Sequence, residues 1–280
     1  MKIGLYGINI GACVDPAVAI RVACAAEEAG FDSVWTAEHV VLPDPQVPPS
    51  PAPPGLPLLD PATALAHLAG QTKTLLLATG IIILPQRNPL VLAKELATVD
   101  VLSRGRLVFG LGAGYLIPEF EALGIPFTER GARTDEYIDA ILALWTQEKP
   151  SYDGRFVSFR GVRAEPRPVQ KPHPPLVVGG ESAGACRRAV SRGHGWYGFN
   201  LDLPATRTCL ESLARARAEV ARPDALGKLE ISVTPPPGSP SRDLFREYED
   251  LGVHRLILLP PFGGPDTIVD AVRRAAEVVL

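Results

Sequence analysis

The chain has 280 residues, of which 46% are hydrophobic and 21% charged, and its formal net charge is −3. This composition is typical of a folded globular protein, and the charge gives no overall attraction to nucleic acid or anionic membranes. The four cysteines are scattered without paired Cys or His spacing, which argues against a disulfide framework or a structural zinc site. No apolar run approaches the ~20 residues of a membrane span, so we expect a soluble cytoplasmic protein.

Apolar segments of strand length alternate with segments of helical periodicity along the whole chain. In chain order, the pattern predicts strand 2–8, helix 15–29, strand 31–36, helix 60–70, strand 75–84, helix 89–102, strand 106–111, helix 133–147, strand 176–178, helix 182–192, strand 196–199, helix 204–222, strand 229–233, a helix within 239–251, strand 253–258 and helix 265–280. The strands are continuously apolar, which favours a parallel sheet covered by helices.

Eight strand-plus-helix units in a chain of this length predict one α/β domain, a (β/α)8 TIM barrel comprising residues 1–280. Two segments do not fit the alternation. Residues 43–61 are too rich in proline for a helix, and we interpret them as a loop after the second strand and a candidate lid. Residues 150–175 are predicted to be a small insertion that contains a short hairpin.

Two strand ends carry candidate chemistry. Glu38 and His39 follow the second strand, where an acid and an imidazole can orient and protonate a ligand; a local hydrogen bond of the histidine is the simpler alternative. Gly112-x-Gly114 follows the fourth strand but has Tyr115 where a dinucleotide fingerprint needs its third glycine. We interpret these glycines as allowing close approach of a ring, or as plain turn residues.

Residues 179–182 (Gly-Gly-Glu-Ser) lie between a strand and a helix, where backbone N–H groups can bind phosphate or Ser182 can simply cap the helix. The run from Gly180 to Gly184 also matches the Gly-x-Ser-x-Gly elbow of serine esterases. That alternative would use Ser182, Asp224 and His254, but no oxyanion segment lies upstream and His254 begins a strand.

Eight short motifs occur in a specific order: Glu38-His39, Ala78-Thr79-Gly80-Ile81, Arg87-Asn88-Pro89, Leu102-Ser103-Arg104-Gly105-Arg106, Gly112-x-Gly114, Phe127–Arg133, Pro166–Gln170 and Val178-Gly179-Gly180. Together they resemble the coenzyme F420 (deazaflavin)-dependent branch of the luciferase-like monooxygenase superfamily. The resemblance covers residues 1–200, whereas the remainder matches in element order only.

The resemblance implies an oxidoreductase that transfers a hydride between coenzyme F420 and a small organic substrate. His39 would be catalytic with Glu38 beside it, and a non-proline cis peptide would join Gly80 to Ile81. The implied cofactor-binding residues are Thr79, Gly80, Ile81, Gly112, Ala113, Gly114, Gly179, Gly180, Glu181 and Ser182. Some sugar-oxidising members have a glutamate where Tyr115 stands, and Glu119 lies further along the chain.

The principal alternative within the superfamily is an FMN-dependent monooxygenase. Flavin-using relatives often have an arginine near the Gly112–Tyr115 region, and its absence from this stretch favours F420. A non-catalytic barrel that binds a flavin-like molecule is a further alternative. Relatives are commonly dimers, so we expect a homodimer that takes a small-molecule substrate, without metal, nucleic acid or membrane.

Overall fold

The computed structural model describes residues 1–279, which contain eleven strands and nine α-helices. The strands are β1 Lys2–Tyr6, β2 Ser33–Trp35, β3 Leu76–Ala78, β4 Ile82–Ile83, β5 Leu107–Gly112, β6 Tyr152–Asp153, β7 Ser158–Phe159, β8 Leu176–Gly179, β9 Gly195–Phe199, β10 Glu230–Thr234 and β11 Arg255–Leu258. The helices are α1 Pro16–Glu28, α2 Pro61–Ala69, α3 Pro89–Leu102, α4 Ile117–Ala122, α5 Arg130–Thr146, α6 Ala183–Arg192, α7 Leu203–Glu219, α8 Arg242–Asp250 and α9 Pro265–Val279.

Eight of the strands close into a parallel barrel. They pair in the ring order β1, β2, β3, β5, β8, β9, β10 and β11, and β11 pairs with β1. The helices surround this ring, so the predicted (β/α)8 barrel is confirmed. The hairpin predicted in the insertion is also present, as the antiparallel pair β6–β7.

The barrel has two apolar cores because its strands alternate between an inner and an outer face. Val34 and Leu77 belong to the outer core beneath the helices, whereas their neighbours Trp35 and Ala78 belong to the inner core. Both faces of each strand are therefore buried, which explains the continuously apolar strands in the sequence.

The predicted strand 75–84 is interrupted in the structure. After β3 the chain forms a non-proline cis peptide at Gly80–Ile81, and the short strand β4 is followed by a 3-10 turn at Leu84–Gln86. The neighbouring strand β5 leaves room for this interruption because it has a glycine where the interrupted chain passes. A Cβ atom on Gly110 would lie 1.9 Å from the Thr79 carbonyl oxygen. An apolar run carries no sign of such a break.

Three further elements differ clearly from the prediction, and one of them is α7, which ends at Glu219 rather than at residue 222. Helix α5 begins at Arg130, three residues before the predicted start, and the short helix α4 was not predicted. The proline-rich segment has no helix or regular strand, and its end is fixed where the Leu59 N–H donates to the Asn9 carbonyl at 2.9 Å. Among residues 1–279, no helix has the length and apolarity needed to cross a membrane.

Candidate active site

The carboxyl ends of all barrel strands meet at one face, and the loops that follow them carry the candidate site. His39 follows β2, residues 79–81 follow β3, residues 113–115 follow β5, and residues 180–182 follow β8. These four strands are consecutive in the ring, so the structure brings the predicted residues to one side of the barrel mouth.

His39 is held by Glu119, an acid that is remote from it in the sequence. Its Nδ1 atom lies 3.0 Å from Oε2 of Glu119, and Oε1 of the same carboxylate accepts the Val40 N–H at 2.6 Å. Glu119 is only 1% exposed. A carboxylate at Nδ1 keeps the proton on that nitrogen, so Nε2 of the neutral ring is an acceptor. The Tyr115 hydroxyl lies 3.4 Å from Nε2.

Glu38 was predicted to be catalytic beside His39, and in the structure its carboxylate is paired with Arg87. Arg87 donates from Nε to Oε1 of Glu38 at 2.7 Å and also from Nη2, while the Ile83 N–H donates to Oε2. Arg87 further donates to Asp60 at 2.6 Å. Burial lowers the pKa of Arg87, but Glu38 and Asp60 together raise it above its ordinary value. Both Glu38 oxygens are thus engaged in fixing β4 and the end of the proline-rich loop, and the acid that orients His39 is Glu119.

The cis peptide implied at Gly80–Ile81 is present, and the Ile81 side chain lies over the carboxyl ends of β5 and β8. A Cβ atom on Gly112 or Gly179 would lie 2.3 or 2.5 Å from the Ile81 Cδ1 atom. These two glycines therefore make room for Ile81, and their contact with a cofactor stays a prediction. Thr79 is fully buried, and its hydroxyl donates to the Gly110 carbonyl at 2.7 Å.

The loop after β8 presents the start of α6 at the mouth. Ser182 caps this helix, since its Oγ accepts the Ala185 N–H at 3.2 Å. Gly180 has a φ of +108°, a conformation that glycine adopts readily. Gly180, Glu181 and Ser182 are exposed, and because Ser182 already accepts the Ala185 N–H, the Ala183 and Gly184 N–H groups are the ones left for an anion.

Arg130 lies at the Gly114 end of this site, although no arginine occurs in the Gly112–Tyr115 stretch. Its Nε donates to the Gly114 carbonyl at 3.2 Å, and its guanidinium stacks at 3.8 Å over the Phe127 ring. Arg188 of α6 donates to the Gly131 carbonyl at 3.2 Å, so the start of α5 lies against α6. The motif Phe127–Arg133 was the only sequence signal for this residue.

The esterase alternative is wrong because its three residues lie on different faces. Ser182 follows a strand, whereas His254 precedes β11 and its Nδ1 accepts the Ile231 N–H at 3.0 Å. Asp224 lies in a turn between α7 and β10, also at the amino-terminal face. The elbow match reflects a glycine-rich helix cap.

Comparisons with known proteins place the chain in one family. The sequence profile of the luciferase-like monooxygenases matches residues 7–237. An uncharacterized protein of Mycobacterium tuberculosis is 31% identical over 281 residues, covering 96% of this chain and 94% of that protein. The FMNH(2)-dependent dimethylsulfone monooxygenase of Pseudomonas putida is 38% identical over 116 residues, which cover 40% of this chain and 32% of that protein.

Two solved structures have the same fold over their whole length. An F420-dependent secondary alcohol dehydrogenase in complex with an F420-acetone adduct has a TM-score of 0.80 at 15% identity, covering 99% of this chain and 98% of that chain. The monooxygenase RslO1 of Streptomyces bottropensis has a TM-score of 0.77 at 22% identity, with the same coverage of 99% and 98%.

Proposed function

The chain belongs to the luciferase-like monooxygenase family, and we propose that it transfers a hydride between coenzyme F420 and a small organic substrate. The observation that carries the proposal is the imidazole of His39 at the barrel mouth. The buried Glu119 holds one of its nitrogens, and the other, 3.4 Å from the exposed Tyr115 hydroxyl, would exchange a proton with a ligand. The F420-dependent alcohol dehydrogenase of the same fold supports this choice of cofactor.

The residues at the mouth fit a phosphorylated, ring-bearing cofactor. The Ile81 side chain occupies the space above Gly112 and Gly179, so it would support one face of the ring, and the half-buried Ala113 and Gly114 would border it. The first turn of α6 offers N–H groups to a phosphate. Arg130 at Gly114 supplies a positive charge nearby.

F420 supplies the hydride chemistry when bound, and His39 manages the accompanying proton. Reduction of a carbonyl needs a proton at oxygen as well as a hydride at carbon, and the reverse reaction releases both. Nε2 of His39 would take or give that proton. Glu119 would stabilise the protonated imidazole and keep the ring in one orientation.

A monooxygenase that uses FMN is the second candidate. Arg130 favours it, because the structure places an arginine beside the Gly112–Tyr115 loop, where flavin-using relatives often have one. The similarity to the dimethylsulfone monooxygenase points the same way. The two candidates share the site and differ in cofactor and in the need for oxygen.

Side-by-side equilibrium binding of coenzyme F420 and FMN to the purified protein, followed by fluorescence, tests the proposal. Micromolar or tighter binding of F420 with weaker binding of FMN is the expected result. A preference for FMN would replace the proposal with the oxygen-using candidate. Tight binding of either cofactor without turnover across a substrate panel would indicate a non-catalytic barrel.

We further propose that the protein works as a cytoplasmic homodimer. Its four cysteines are free, which fits a reducing compartment. Val91 and Leu102 on α3 are 56% and 52% exposed, and such apolar side chains suit a subunit contact. Light scattering after gel filtration measures the mass directly, and a monomer would contradict the dimer.

A further inference from the structure

The middle of the proline-rich segment is free of the rest of the protein. We call residues 41–56 the strap, and none of them is buried or packs against either apolar core. Among residues 1–279, the hydrogen bonds of the strap are all internal, such as the one from the Ser50 N–H to the Val47 carbonyl at 2.8 Å. A loop of this length without secondary structure is usually functional in a compact domain.

The strap is fixed at both of its ends. Just before it, the Val40 N–H donates to Oε1 of Glu119 at 2.6 Å. Just after it, the Pro57 carbonyl accepts the Gly11 N–H at 3.1 Å. Glu119 follows β5 and Gly11 follows β1, so the strap spans two fixed points of the barrel mouth and is free between them. Fixed ends with a free middle are the arrangement of a hinged lid.

Arg87 joins the two ends of the loop that contains the strap. Its guanidinium donates to Glu38 at 2.7 Å from Nε and to Asp60 at 2.6 Å from Nη2, and these two acids lie outside the strap on either side. Glu38 is buried. Because a buried ion pair is costly to break, the base of the loop should keep its width while the strap above it moves.

The contact at the start of the strap is shared with the candidate catalytic residue. The carboxylate of Glu119 accepts the Val40 N–H at one oxygen, and its other oxygen lies 3.0 Å from Nδ1 of His39. The strap therefore begins beside the imidazole. A movement of the strap toward the barrel would cover this part of the mouth.

The strap and the loop next to its start both expose apolar side chains. Val41 and Val47 are exposed on the strap, and Tyr115 and Ile117 are exposed after β5, on the segment that leads to Glu119. Closure that brings these side chains together would remove apolar area from water, which favours the closed state. Seven of the 16 strap residues are proline, which limits the conformational entropy that the strap loses on closing.

We propose that the strap closes over the cofactor bound at the His39 side of the mouth and excludes water from the site of hydride transfer. This inference rests on the proposed function and adds a conformational step to it. Closure of a loop over a bound ligand keeps solvent from the reacting groups and strengthens the electrostatic interactions beneath it. The two fixed ends would serve as hinges, and the exposed valines of the strap would meet Tyr115 and Ile117.

Hydrogen exchange followed by mass spectrometry tests the closure in three samples: protein alone, with saturating F420 and with saturating FMN. Among residues 1–279, only the Ser50 and Leu56 N–H groups of the strap have an acceptor. In protein alone, we expect the other strap amides to exchange as fast as in an unstructured peptide. With bound cofactor they should exchange at least about fivefold more slowly, because the closed state becomes the major one.

Slow exchange of the strap in protein alone would overturn the inference, whichever cofactor binds. Exchange that does not change on saturation with the more tightly bound cofactor would also overturn it. Slower exchange with FMN but not with F420 would support closure of the strap and replace F420 in the proposed function. The two proposals can therefore fail separately.

Paired serine variants test the apolar contact of the closed strap. We expect Val41→Ser/Val47→Ser to reduce the cofactor-dependent protection at least about threefold and to raise acrylamide quenching of the bound cofactor's fluorescence about twofold. Val162→Ser/Val169→Ser, which replaces two exposed valines of the insertion, is the matched control and should change neither value. Melting temperatures of both variants should stay within about 2 °C of wild type, because all four valines are exposed. Wild-type protection and quenching in Val41→Ser/Val47→Ser would overturn closure through this contact.

Discussion

His39 has a potential hydrogen-bond partner at each of its ring nitrogens, and the two partners differ in kind. Glu119 at Nδ1 is buried, whereas Tyr115 at Nε2 is 47% exposed and further away. The inner contact therefore fixes the ring, and the outer contact is the one that a bound ligand can replace. Glu119 is eighty residues from His39 in the sequence, so spacing alone could not pair them.

Glu119→Gln tests the charge of this inner partner. We expect turnover to fall about 10- to 100-fold, because an amide keeps the shape but cannot stabilise the protonated imidazole. Cofactor affinity should stay within about twofold of wild type, since Glu119 is buried beneath His39. Steady-state kinetics and F420 titration measure both. Glu121→Gln, exposed on the same helix, is the control, and wild-type turnover in Glu119→Gln would remove Glu119 from the mechanism.

Arg130→Ala tests the charge at the Gly114 loop. The proposed cofactor has a phosphate in its tail, so its affinity should fall about tenfold, whereas the deazaflavin chromophore without the phosphate tail should bind equally well to both proteins. Fluorescence titration with the two compounds gives the ratio. Arg160→Ala, in an exposed pair on the outer hairpin, should change neither value. An equal loss for both compounds would assign Arg130 to packing on Phe127 instead.

At the scale of elements, the sequence predicts most helices and strands closely because capping residues and apolar runs define them locally. Asp15, Asp60 and Ser182 each cap the helix that the sequence places after them. The break after β3 is different, because it depends on glycines in a strand thirty residues away. Such a fit between distant backbones leaves no periodic signal in either segment.

The contribution of this close packing to stability can be measured at the contact between Ile81 and Gly112. Gly112→Ala should cost about 1–3 kcal/mol, because its Cβ would lie 2.3 Å from Ile81 Cδ1. In the double variant Gly112→Ala/Ile81→Ala, the loss of stability should be smaller than the sum of the losses in the two single variants, because the shortened side chain at position 81 leaves room for the new methyl group. Urea unfolding of the single and double variants measures the difference. Gly131→Ala, in a helix with open space around the position, should be neutral or stabilising, and strict additivity of the pair would contradict the contact.

His194 and His254 connect neighbouring strands at their amino-terminal ends. Nδ1 of His194 accepts the Leu176 N–H at 3.2 Å, and Nδ1 of His254 accepts the Ile231 N–H at 3.0 Å. Burial lowers the pKa of both residues, in agreement with rings that must stay neutral to accept. Their contribution to stability is therefore complete above the ordinary histidine pKa of about 6.5 and is lost as the pH falls through the lowered values.

Replacement of His254 by glutamine removes one of these titrations while keeping an acceptor atom. We expect the fall in melting temperature between pH 7.5 and pH 5 to be smaller in His254→Gln than in wild type. His67→Gln, on the exposed side of α2, should follow the wild-type curve. An unchanged pH dependence in His254→Gln would show that this residue does not contribute to acid destabilisation.

At the scale of the whole molecule, the candidate active site and the ion pairs that join the strands lie at opposite faces of the barrel. The proposed cofactor and substrate contacts lie at the carboxyl ends of the strands, whereas Arg255 at the start of β11 joins three strands at the other face. The sequence predicts the barrel because eight repeated units leave few alternatives. It does not predict which charged residues converge, because Arg255 and its partner Asp32 are separated by 223 positions.

Replacement of Arg255 tests whether the ion pairs at the amino-terminal face stabilise the barrel without changing the candidate active site. It is 3% exposed, donates to Asp32 at 2.7 Å, and also pairs with Glu230. Although burial raises the pKa of Glu230, Arg255 and Lys2 hold it below its ordinary value. Arg255→Ala should cost about 3 kcal/mol in urea unfolding at neutral pH, near the lower end for a broken buried pair, because both carboxylates are partly exposed.

The pH dependence separates this ion pairing from simple packing. The contribution of Glu230 is present above the ordinary carboxyl pKa of about 4.3 and is lost as the pH falls through the lowered value in the fold. The stability difference between wild type and Arg255→Ala should therefore shrink as the pH is lowered from 7 to 4, while F420 affinity of the folded variant stays unchanged. Arg160→Ala, which breaks a pair exposed on both sides, should cost no more than about 1 kcal/mol. A constant difference across that pH range would assign the role of Arg255 to its stacking over Trp35, at 5.8 Å from the ring centre, rather than to its charge.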